Sequence, residues 1–411
     1  MSGTRPMVLQ SSFRSNSDIP PLGSHDKTGR ASFNLNVLQL NAWLIPVRPN
    51  FPRCLDFHTL TRAKRMAAWL EEEIANKRLD IAIFQEVWTP WRSIVAASIH
   101  SFFCCQLFGR SLIEKTLTKA SLGYFTSVGG SYPCDCTRRF FDSGLLIASR
   151  YPIIEQDFKI YPSGSPHDAL SSKGILVAAV RRPEGILIVG SSHLDAGSDD
   201  EIKIRQLKIA LDLLRHFSRK IAAKFPTEKI VGKLFGSDMN IDGVEFWNKD
   251  ASYATVRALM EAEGYEDSWL LTPRDIPHAD DVLKKNYGPD AHPQLGITSD
   301  QHNCVKRLDY IWVAPEVAPS LSPVQMKMLA SEGLSKRSLV HHIGVSAKTS
   351  LNDGADWRSS VTMRREVDAA LAAGDRGLAR RLAVKIDLHD REERLSDHAA
   401  LFANLRFHEP L

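Results

Sequence analysis

Several short apolar segments of this chain end in a polar side chain that can bind a metal ion or move a proton. In the clearest case the apolar run Ile81–Phe84 is followed directly by Gln85 and Glu86. A continuous apolar run of this length predicts a strand in a sheet that is covered on both faces. A carboxylate at its end lies where core meets rim, where it can stay ionised and bind a hard divalent cation. A solvated glutamate that only caps the strand is the alternative.

Other predicted strands end in the same way, each in a different polar residue. These further residues are Asn41, His193, Asp238, Asn240, Asp309, Asp397 and His398. Ordinary alternatives exist, because Asn41 could cap a turn, His193 could be a hydrogen-bonded core histidine, and Asp238 could begin a turn. Asp309 is harder to explain in this way, because a carboxylate between apolar strand residues pays a desolvation cost unless it is paired. A histidine is the natural partner, and His398 supplies one.

The segments that must position these residues alternate between strands and helices. The predicted strands are Asn36–Leu40, the Ile81 strand, Ser101–Leu107, Gly144–Ser149, Gly174–Val180, Ile186–Ser192, Lys229–Phe235, Leu308–Val313 and His398–Leu405. The predicted helices are Thr61–Lys77, Asp200 to about Phe225, and Lys249–Glu263. Strand, helix and strand at this spacing predict a layered α/β fold.

The long segment Ala314–Arg394 interrupts this order, and it separates two strands that we expect to be neighbours in one sheet. A short helical pair is predicted at Glu366–Ala373 and Arg376–Val384, so we expect a helical insertion. The arginines of this segment most often indicate a solvated helix face. Its position just before Asp397 supports the hypothesis that Arg358–Lys385 lies at the rim of the site and binds an anionic surface.

Composition limits the domain organisation and the class of protein. We expect a disordered tail at residues 1–32, which are rich in Ser, Pro, Gly and Arg, and a single catalytic domain at 33–407. The net charge of +4 over 411 residues does not indicate a nucleic-acid-binding protein, which usually has a strong basic bias. No apolar run is long enough to span a bilayer, and the N-terminus lacks a secretory signal. The expected location is therefore cytoplasmic or peripheral to a membrane.

The polar strand ends together resemble the endonuclease/exonuclease/phosphatase superfamily over about Asn36 to Phe407. The segments that carry the resemblance, in chain order, are Gln85-Glu86, Ser192-His193, Gly236-Ser237-Asp238-Met239-Asn240, Arg307-Leu308-Asp309-Tyr310 and Ser396-Asp397-His398. Several motifs in the right order are far more specific than any one of them. The resemblance implies an α/β fold, a four-layer sandwich in which two mostly antiparallel sheets pack together under outer helices.

Finer motifs resemble the neutral, magnesium-dependent sphingomyelinases. They are Leu40-Asn41-Ala42-Trp43, Glu86-Val87-Trp88, Ser143-Gly144-Leu145, Asp168 with Lys173, and His193-Leu194-Asp195-Ala196. Two departures are Ser192, where threonine is commoner, and Ser237, where glycine is usual. A third departure is the insertion Ala314–Arg394, which has no counterpart in this pattern.

The resemblance also implies roles for the residues. The implied ligands of Mg²⁺, for which Mn²⁺ is a possible substitute, are Glu86, Asn41 and Asp397. His398 would activate water, oriented by Asp309 as in hydrolytic triads, although the base stays open between His398 and Asp238. The implied contacts to water and the substrate phosphate are Asp238, Asn240, His193 and Lys173.

The sequence therefore predicts a metal-dependent phosphodiester hydrolase, specifically a sphingomyelinase-like phospholipase C. Its expected partners are a lipid phosphodiester and an anionic membrane surface, and nucleic acid stays open as a substrate. The alternatives are a DNA or RNA nuclease with a basic groove, a phosphoinositide-type phosphatase, and a non-catalytic scaffold. A scaffold would be expected to have lost some of the ionisable residues, and every expected position is occupied. Fold analogy alone does not decide among these functions.

Overall fold

Two sheets packed face to face form the centre of the structure, a computed structural model. It describes residues 32–44, 63–71, 78–88, 108–127, 129, 142–162, 164–165, 168, 171–197, 199–243, 252–270, 306–314, 326–329, 369 and 400–408. Outside these residues lie Asp397, His398, the strand predicted at Ser101–Leu107, the predicted tail except Ser32, and the predicted helical pair except residue 369.

In chain order the described elements are β1 (Ser32–Asn41), α1 (63–71), β2 (Ile81–Gln85), α2 (Phe108–Lys119), β3 (Tyr124–Phe125), β4 (Leu146–Ser149), β5 (Ile153–Ile160), β6 (Gly174–Arg182), β7 (Gly185–His193), α3 (Asp200–Lys224), β8 (Ile230–Asp238), α4 (Ser252–Ala262), β9 (Glu266–Asp267), β10 (Asp309–Ala314), β11 (Met326–Leu329) and β12 (Ala400–His408). The helix α2 was not predicted. Its sequence follows the apolar run Ser101–Leu107, which has no helical spacing.

The described strands form two six-stranded, mostly antiparallel sheets, as predicted. The first has the order β11-β12-β1-β2-β4-β3, and the second has the order β5-β6-β7-β8-β10-β9. Only two of the described strand pairs are parallel, β1 with β2 and β7 with β8. Each sheet therefore contains one parallel pair near its centre.

The prediction that the strands before and after the insertion are neighbours in one sheet is wrong. β10 pairs with β8 and β9 in the second sheet, whereas β12 pairs with β1 and β11 in the first. The segment between them therefore crosses from one sheet to the other. Part of it forms β11 at the edge of the first sheet. Pairing is decided by which strand edge is open in the folded sheet, and closeness along the sequence does not determine it.

Three apolar cores give the molecule its four layers, which confirms the predicted sandwich. The middle core lies between the sheets and contains alternate residues of their strands, for example Val37, Ile83, Val189 and Ile311. One outer core packs α1 and α2 on the first sheet, and the other packs α3 and α4 on the second. The period-two alternation of strand side chains explains why each central strand contributes to two cores.

The helix α3 shows how the sequence defines an element between two site-bearing strands. Asp199 caps its N-terminus by accepting from the backbone N–H groups of Glu201 and Ile202. Acidic residues in the first turn and Lys224 in the last complement the helix dipole. The predicted apolar stripe is buried on the sheet. Within the described residues, no helix has both the length and the apolar composition needed to cross a membrane.

Candidate active site

The two parallel strand pairs end at one edge of the sandwich. In the first pair Asn41 lies opposite Gln85, and in the second His193 lies opposite Asp238. The first pair continues past its last residues, since Ala42 N donates to Gln85 O at 2.8 Å. Because parallel strands bring their carboxyl ends together, side chains from both sheets meet here.

Three residues that follow these strands have a left-handed backbone, and Trp43, with φ +48°, is the first of them. Glu86 has φ +55° and Asn240 has φ +51°, conformations that side-chain-bearing residues seldom adopt. The backbone at Glu86 is held by the bond from Leu44 N to Glu86 O at 3.1 Å. The turn at Asn240 is held by its own N–H, which donates to Asp238 Oδ1 at 2.9 Å. Backbone strain that the surroundings maintain is commonest at functional sites.

Asn41 bridges the two sheets at this edge. Its Nδ2 donates to Glu86 Oε1 at 3.0 Å and to Asp238 Oδ2 at 2.8 Å. Its Oδ1 accepts from Trp43 N at 3.0 Å. The amide nitrogen therefore faces the two carboxylates, and the oxygen is turned toward the backbone. A role for Asn41 as a metal ligand stays a prediction, and it would use the lone pair of Oδ1 that Trp43 N does not occupy.

His193 lies between these carboxylates and Lys173. Its Nε2 is 3.6 Å from Asp238 Oδ2, 3.9 Å from Glu86 Oε1 and 3.1 Å from Lys173 Nζ. An ammonium group can only donate, so in this arrangement Nε2 accepts and the ring proton lies on Nδ1. Donation from His193 to a phosphoryl oxygen would then need a second ring proton or the release of Nε2 by Lys173.

Lys173 is buried and has three acceptors, which match the three protons of its ammonium group. They are His193 Nε2, Leu194 O at 2.9 Å and Asp168 Oδ2 at 2.8 Å. Asp168 also accepts from Ala196 N at 2.7 Å. The predicted contact of Lys173 with a phosphate would therefore replace one of these bonds. The sequence-based association of Asp168 with Lys173 corresponds to a direct ion pair.

Asn240 and Asp309 lie on either side of Asp238. Asn240 Nδ2 donates to Leu194 O at 3.1 Å, which joins the segment after β8 to the segment after β7. Asp309 pairs with Asp238 across β10 and β8. Its Oδ1 accepts from Gln39 Nε2 at 3.0 Å, a partner in the opposite sheet that the sequence analysis did not identify.

A buried ion pair beneath the Asn240 turn was also missed. Arg307 Nη1 lies 2.7 Å from an oxygen of Asp267, and its guanidinium carbon is 5.0 and 4.7 Å from the ring centroids of Tyr253 and Tyr310. Burial lowers the pKa of the guanidinium, but the Asp267 carboxylate together with Tyr310 and Tyr253 outweighs burial and raises the pKa overall, so the group stays charged. Arg307 also donates to Gly243 O at 3.4 Å and thereby supports the loop after Asp238. An arginine two residues before a strand carboxylate was the only available sequence signal.

Asp195 holds the segment that follows His193. It is fully buried and accepts from the backbone N–H groups of Ser165 and Gly197. Burial raises the pKa of this carboxyl, but those two N–H groups and the nearby Lys173 outweigh it and lower the pKa overall. Asp195 was predicted only as part of a motif, without this role.

The described residues fit a hard divalent cation by charge and donor type. The buried carboxylates of Glu86 and Asp238 both accept from the Asn41 amide. The nearby ammonium group of Lys173 is already paired with Asp168. Mg²⁺ prefers such oxygen donors and retains several waters. No set of three or more His, Cys, Asp or Glu side chains within the described residues forms a complete metal site. The predicted ligand Asp397 and the predicted base His398 lie outside those residues.

Comparisons with known proteins agree with the motifs. The chain is similar to sphingomyelin phosphodiesterase 3 of Rattus norvegicus, with 33% identity over 157 residues, which span 34% of this chain and 24% of that protein. It is 26% identical to sphingomyelinase C of Bacillus cereus over 148 residues, spanning 33% and 42%. These matches therefore span less than half the length of either relative.

A solved structure of humanized D. rerio TDP2 is 15% identical, covers 90% of this chain and 98% of its own, and has a TM-score of 0.49. A family model describes most of the chain. The match covers residues 31–398, which include every predicted site residue. The chain belongs to the Endonuclease/Exonuclease/phosphatase family.

Proposed function

We propose that this protein is a metal-dependent phosphodiester hydrolase that cleaves a phosphosphingolipid in the manner of a phospholipase C. The observation that supports it most directly is the meeting of Glu86, Asp238 and His193 around the Asn41 amide. Two carboxylates and an imidazole at one edge match what phosphodiester hydrolysis needs. They provide charge neutralisation on phosphate and groups that place water in line.

The proposed cation is Mg²⁺, with Mn²⁺ as a substitute. Glu86 would hold it together with Asn41 and Asp397, and it would act as a Lewis acid that neutralises charge on the phosphate. The buried position of Glu86 supports this role, because a carboxylate that is removed from water needs a partner of opposite charge.

The chain's own residues would place and activate the water. His398 would take a proton from it, and Asp309 would orient the imidazole. The base stays open between His398 and Asp238. Asp238 and Asn240 would hold the water and a phosphoryl oxygen, since both lie in the turn at the end of β8. The water oxygen would add to phosphorus as the phosphorus–oxygen bond to the lipid breaks. The departing lipid oxygen would take a proton from a solvent water, and the protonated base would return its proton to solvent.

His193 and Lys173 would bind the phosphate on the side of the second sheet. Lys173 can exchange one of its three protein acceptors for a phosphoryl oxygen without leaving the other two. His193 would donate from Nε2 once Lys173 releases that nitrogen and the ring carries a proton there. Such donors contribute most when charge develops on the phosphoryl oxygens in the transition state.

The lipid substrate is supported by the names of the relatives together with the Asn41-Ala42-Trp43 motif. The rat and bacterial proteins are named for sphingomyelin cleavage, and the chain matches only part of each. We therefore propose sphingomyelin or a related phosphosphingolipid as the substrate.

The test is hydrolysis of sphingomyelin liposomes, phosphatidylcholine liposomes, and single-stranded and duplex oligonucleotides by the full chain. Each would be measured with Mg²⁺ and with EDTA. His398→Ala removes the proposed base, and His216→Ala, on the exposed side of α3, is its matched control. Phosphocholine release from sphingomyelin should require Mg²⁺ and be lost in His398→Ala alone.

Cleavage of an oligonucleotide with intact lipid would overturn the lipid proposal and support a nuclease. Cleavage that is unaffected by EDTA would contradict the role of the metal. Full activity in His398→Ala would make Asp238 the base.

A further inference from the structure

A layer of buried polar side chains lies one step below the candidate active site, between the two sheets. Its members are Gln39, Gln85, Ser191 and Asp309. Gln39 and Ser191 lie two residues before the ends of β1 and β7, Gln85 is the last residue of β2, and Asp309 is the first residue of β10. The layers beneath it are apolar. Polar side chains in the middle of a sandwich reduce stability unless they are bonded, so their function needs an explanation.

Gln39 is the residue that connects this layer across the sheets. Its Nε2 donates to Gln85 Oε1 at 2.7 Å within the first sheet and to Asp309 Oδ1 at 3.0 Å in the second. An ionised carboxylate only accepts hydrogen bonds, so the amide atom that faces Asp309 must be the nitrogen. Both protons of the Gln39 amide are therefore used, and one of them is fixed on the Asp309 carboxylate.

The second sheet leaves room for this contact. Gly236 lies on β8 directly across from Gln39, and a Cβ atom there would be 3.3 Å from Gln39 Cγ and 2.8 Å from Ile83 Cδ1. A larger residue at this position would displace the side chain that reaches Asp309. The absence of a side chain at Gly236 and the length of Gln39 are complementary features of the two facing sheets.

Gln39 is held in this orientation by other members of the layer. Gln85 Oε1 accepts from Gln39, and Gln85 Nε2 donates to Ser191 Oγ at 3.3 Å. Gln39 Oε1 is buried and has no hydrogen-bond partner among the described residues. An apolar side chain of similar size would not leave this oxygen unsatisfied, so packing alone does not explain a glutamine here.

We propose that Gln39 is a positioning residue for the hydrolytic reaction, which fixes the Asp309 carboxylate in the orientation that its histidine partner requires. The inference rests on the proposed function, in which Asp309 orients the imidazole of the base. Gln39 does not touch the substrate and acts through Asp309. Side chains that orient a carboxylate or histidine in this way typically change activity by about 10-fold to 100-fold when they are replaced.

The test is a double-mutant cycle of Gln39→Met and Asp309→Asn, with kcat and KM measured on the best phosphodiester substrate of the full chain. Gln39→Met should lower kcat about 10-fold with little change in KM. In the Asp309→Asn background the same substitution should have no further effect, because the carboxylate that it orients is gone. Ile83→Val, which changes the packing on the strand next to Gln39 without removing a hydrogen bond, is the matched control and should keep kcat.

A purely structural role for Gln39 predicts a different result. It would lower the folded fraction and leave kcat per folded molecule unchanged, so the folded fraction is measured for each variant by circular dichroism. If Gln39→Met does not fold, Gln39→Asn keeps an amide, draws it away from Asp309 by one methylene group, and should also lower kcat.

Equal kcat in Gln39→Met and the unaltered protein, or equal losses in both backgrounds, would overturn this inference alone. No hydrolysis of any phosphodiester by the unaltered protein would overturn the proposed function and this inference with it.

Discussion

The two parallel strand pairs at the site, β1–β2 and β7–β8, have the same layout and opposite side-chain sizes. Each pair ends in polar residues at the same edge of the sandwich. Beneath these ends the first pair carries the long amides Gln39 and Gln85, whereas the second carries Ser191 and Gly236. The long side chains of one sheet therefore occupy the room that the small residues of the other leave. The two strand pairs therefore contribute differently, because the first provides side chains long enough to cross between the sheets and the second provides the volume that they occupy.

The two pairs also differ in what holds their polar ends. Asn41 and Glu86 of the first pair are bonded to each other. Asn41 also donates to Asp238 of the second pair, whose ends have further support from other segments, since Lys173 contacts His193 and Arg307 supports the loop after Asp238. We therefore expect changes around the first pair to affect mainly chemistry, and changes around the second to affect stability as well.

The largest expected effect is on stability, at the ion pair beneath the second pair. Arg307→Met leaves the buried Asp267 carboxylate without its cation and should lower the free energy of unfolding by about 3–5 kcal/mol. The matched control is Arg181→Met, whose partner Glu228 is at the surface, and it should cost at most about 1 kcal/mol. Urea unfolding of both variants measures the difference. If both variants lose the same free energy of unfolding, the buried ion pair at Arg307 gives the second strand pair no special support.

The next effect separates the carboxylates of the two pairs by function. Glu86→Gln and Asp238→Asn should each lower kcat by about 100-fold to 1,000-fold, because the first weakens the proposed binding of the metal and the second removes a carboxylate that would place the attacking water. Only Glu86→Gln should also raise the Mg²⁺ concentration for half-maximal activity. Metal titrations of both variants test this, with Glu155→Gln, a carboxylate that pairs with Lys220 at the surface, as the control. The same shift in both variants would mean that the pairs share the metal equally.

A smaller effect tests the complementary sizes of the facing layers. Gly236→Ala should cost about 1–3 kcal/mol, because its new methyl group would overlap Ile83 Cδ1. Adding Ile83→Val should recover part of this loss, since it removes that terminal methyl group. Thermal or urea unfolding of the single and double variants measures the recovery. Additive losses in the double variant would show that the two residues do not compete for space.

The smallest expected effect is a change in pH dependence at the segment after His193. The pKa of Asp195 is lowered in the folded protein, so its ionised form stabilises the fold above the pKa of the unfolded chain. That contribution is lost as the pH falls through the folded-state pKa. Asp195→Asn should therefore be less stable than the unaltered protein at neutral pH, and the difference should shrink in acid. A difference that is independent of pH would contradict this assignment.

Much of the described fold was predictable because strands and helices leave local patterns. The apolar runs at β2, β6 and β7 and the stripe on α3 predicted those elements within a few residues. The strand pairing of β10 and β12 was not predictable in the same way. β10 and β12 are both apolar strands, and their sequences do not show which sheet each one joins. Only the packing of the complete sheets places β10 in the second sheet and β12 in the first.

The candidate site divides in a similar way. The order of motifs predicted that Asn41, Glu86, His193 and Asp238 belong together. The sequence did not predict that these residues contact Lys173 and Gln39. Such contacts leave no local pattern, because their members are far apart in the chain, as Gln39 and Asp309 are at 270 residues.

The sequence by itself determined which polar residues end the strands, because a buried strand must be apolar until it reaches the rim. It also determined which face of each strand they share, because strand side chains alternate with a period of two. Only the tertiary structure decided that the Asn41 nitrogen faces two carboxylates and that Gln39 reaches Asp309. The orientation of a side chain depends on the donors and acceptors of the opposite sheet, and these are brought within hydrogen-bond distance only when the sheets pack.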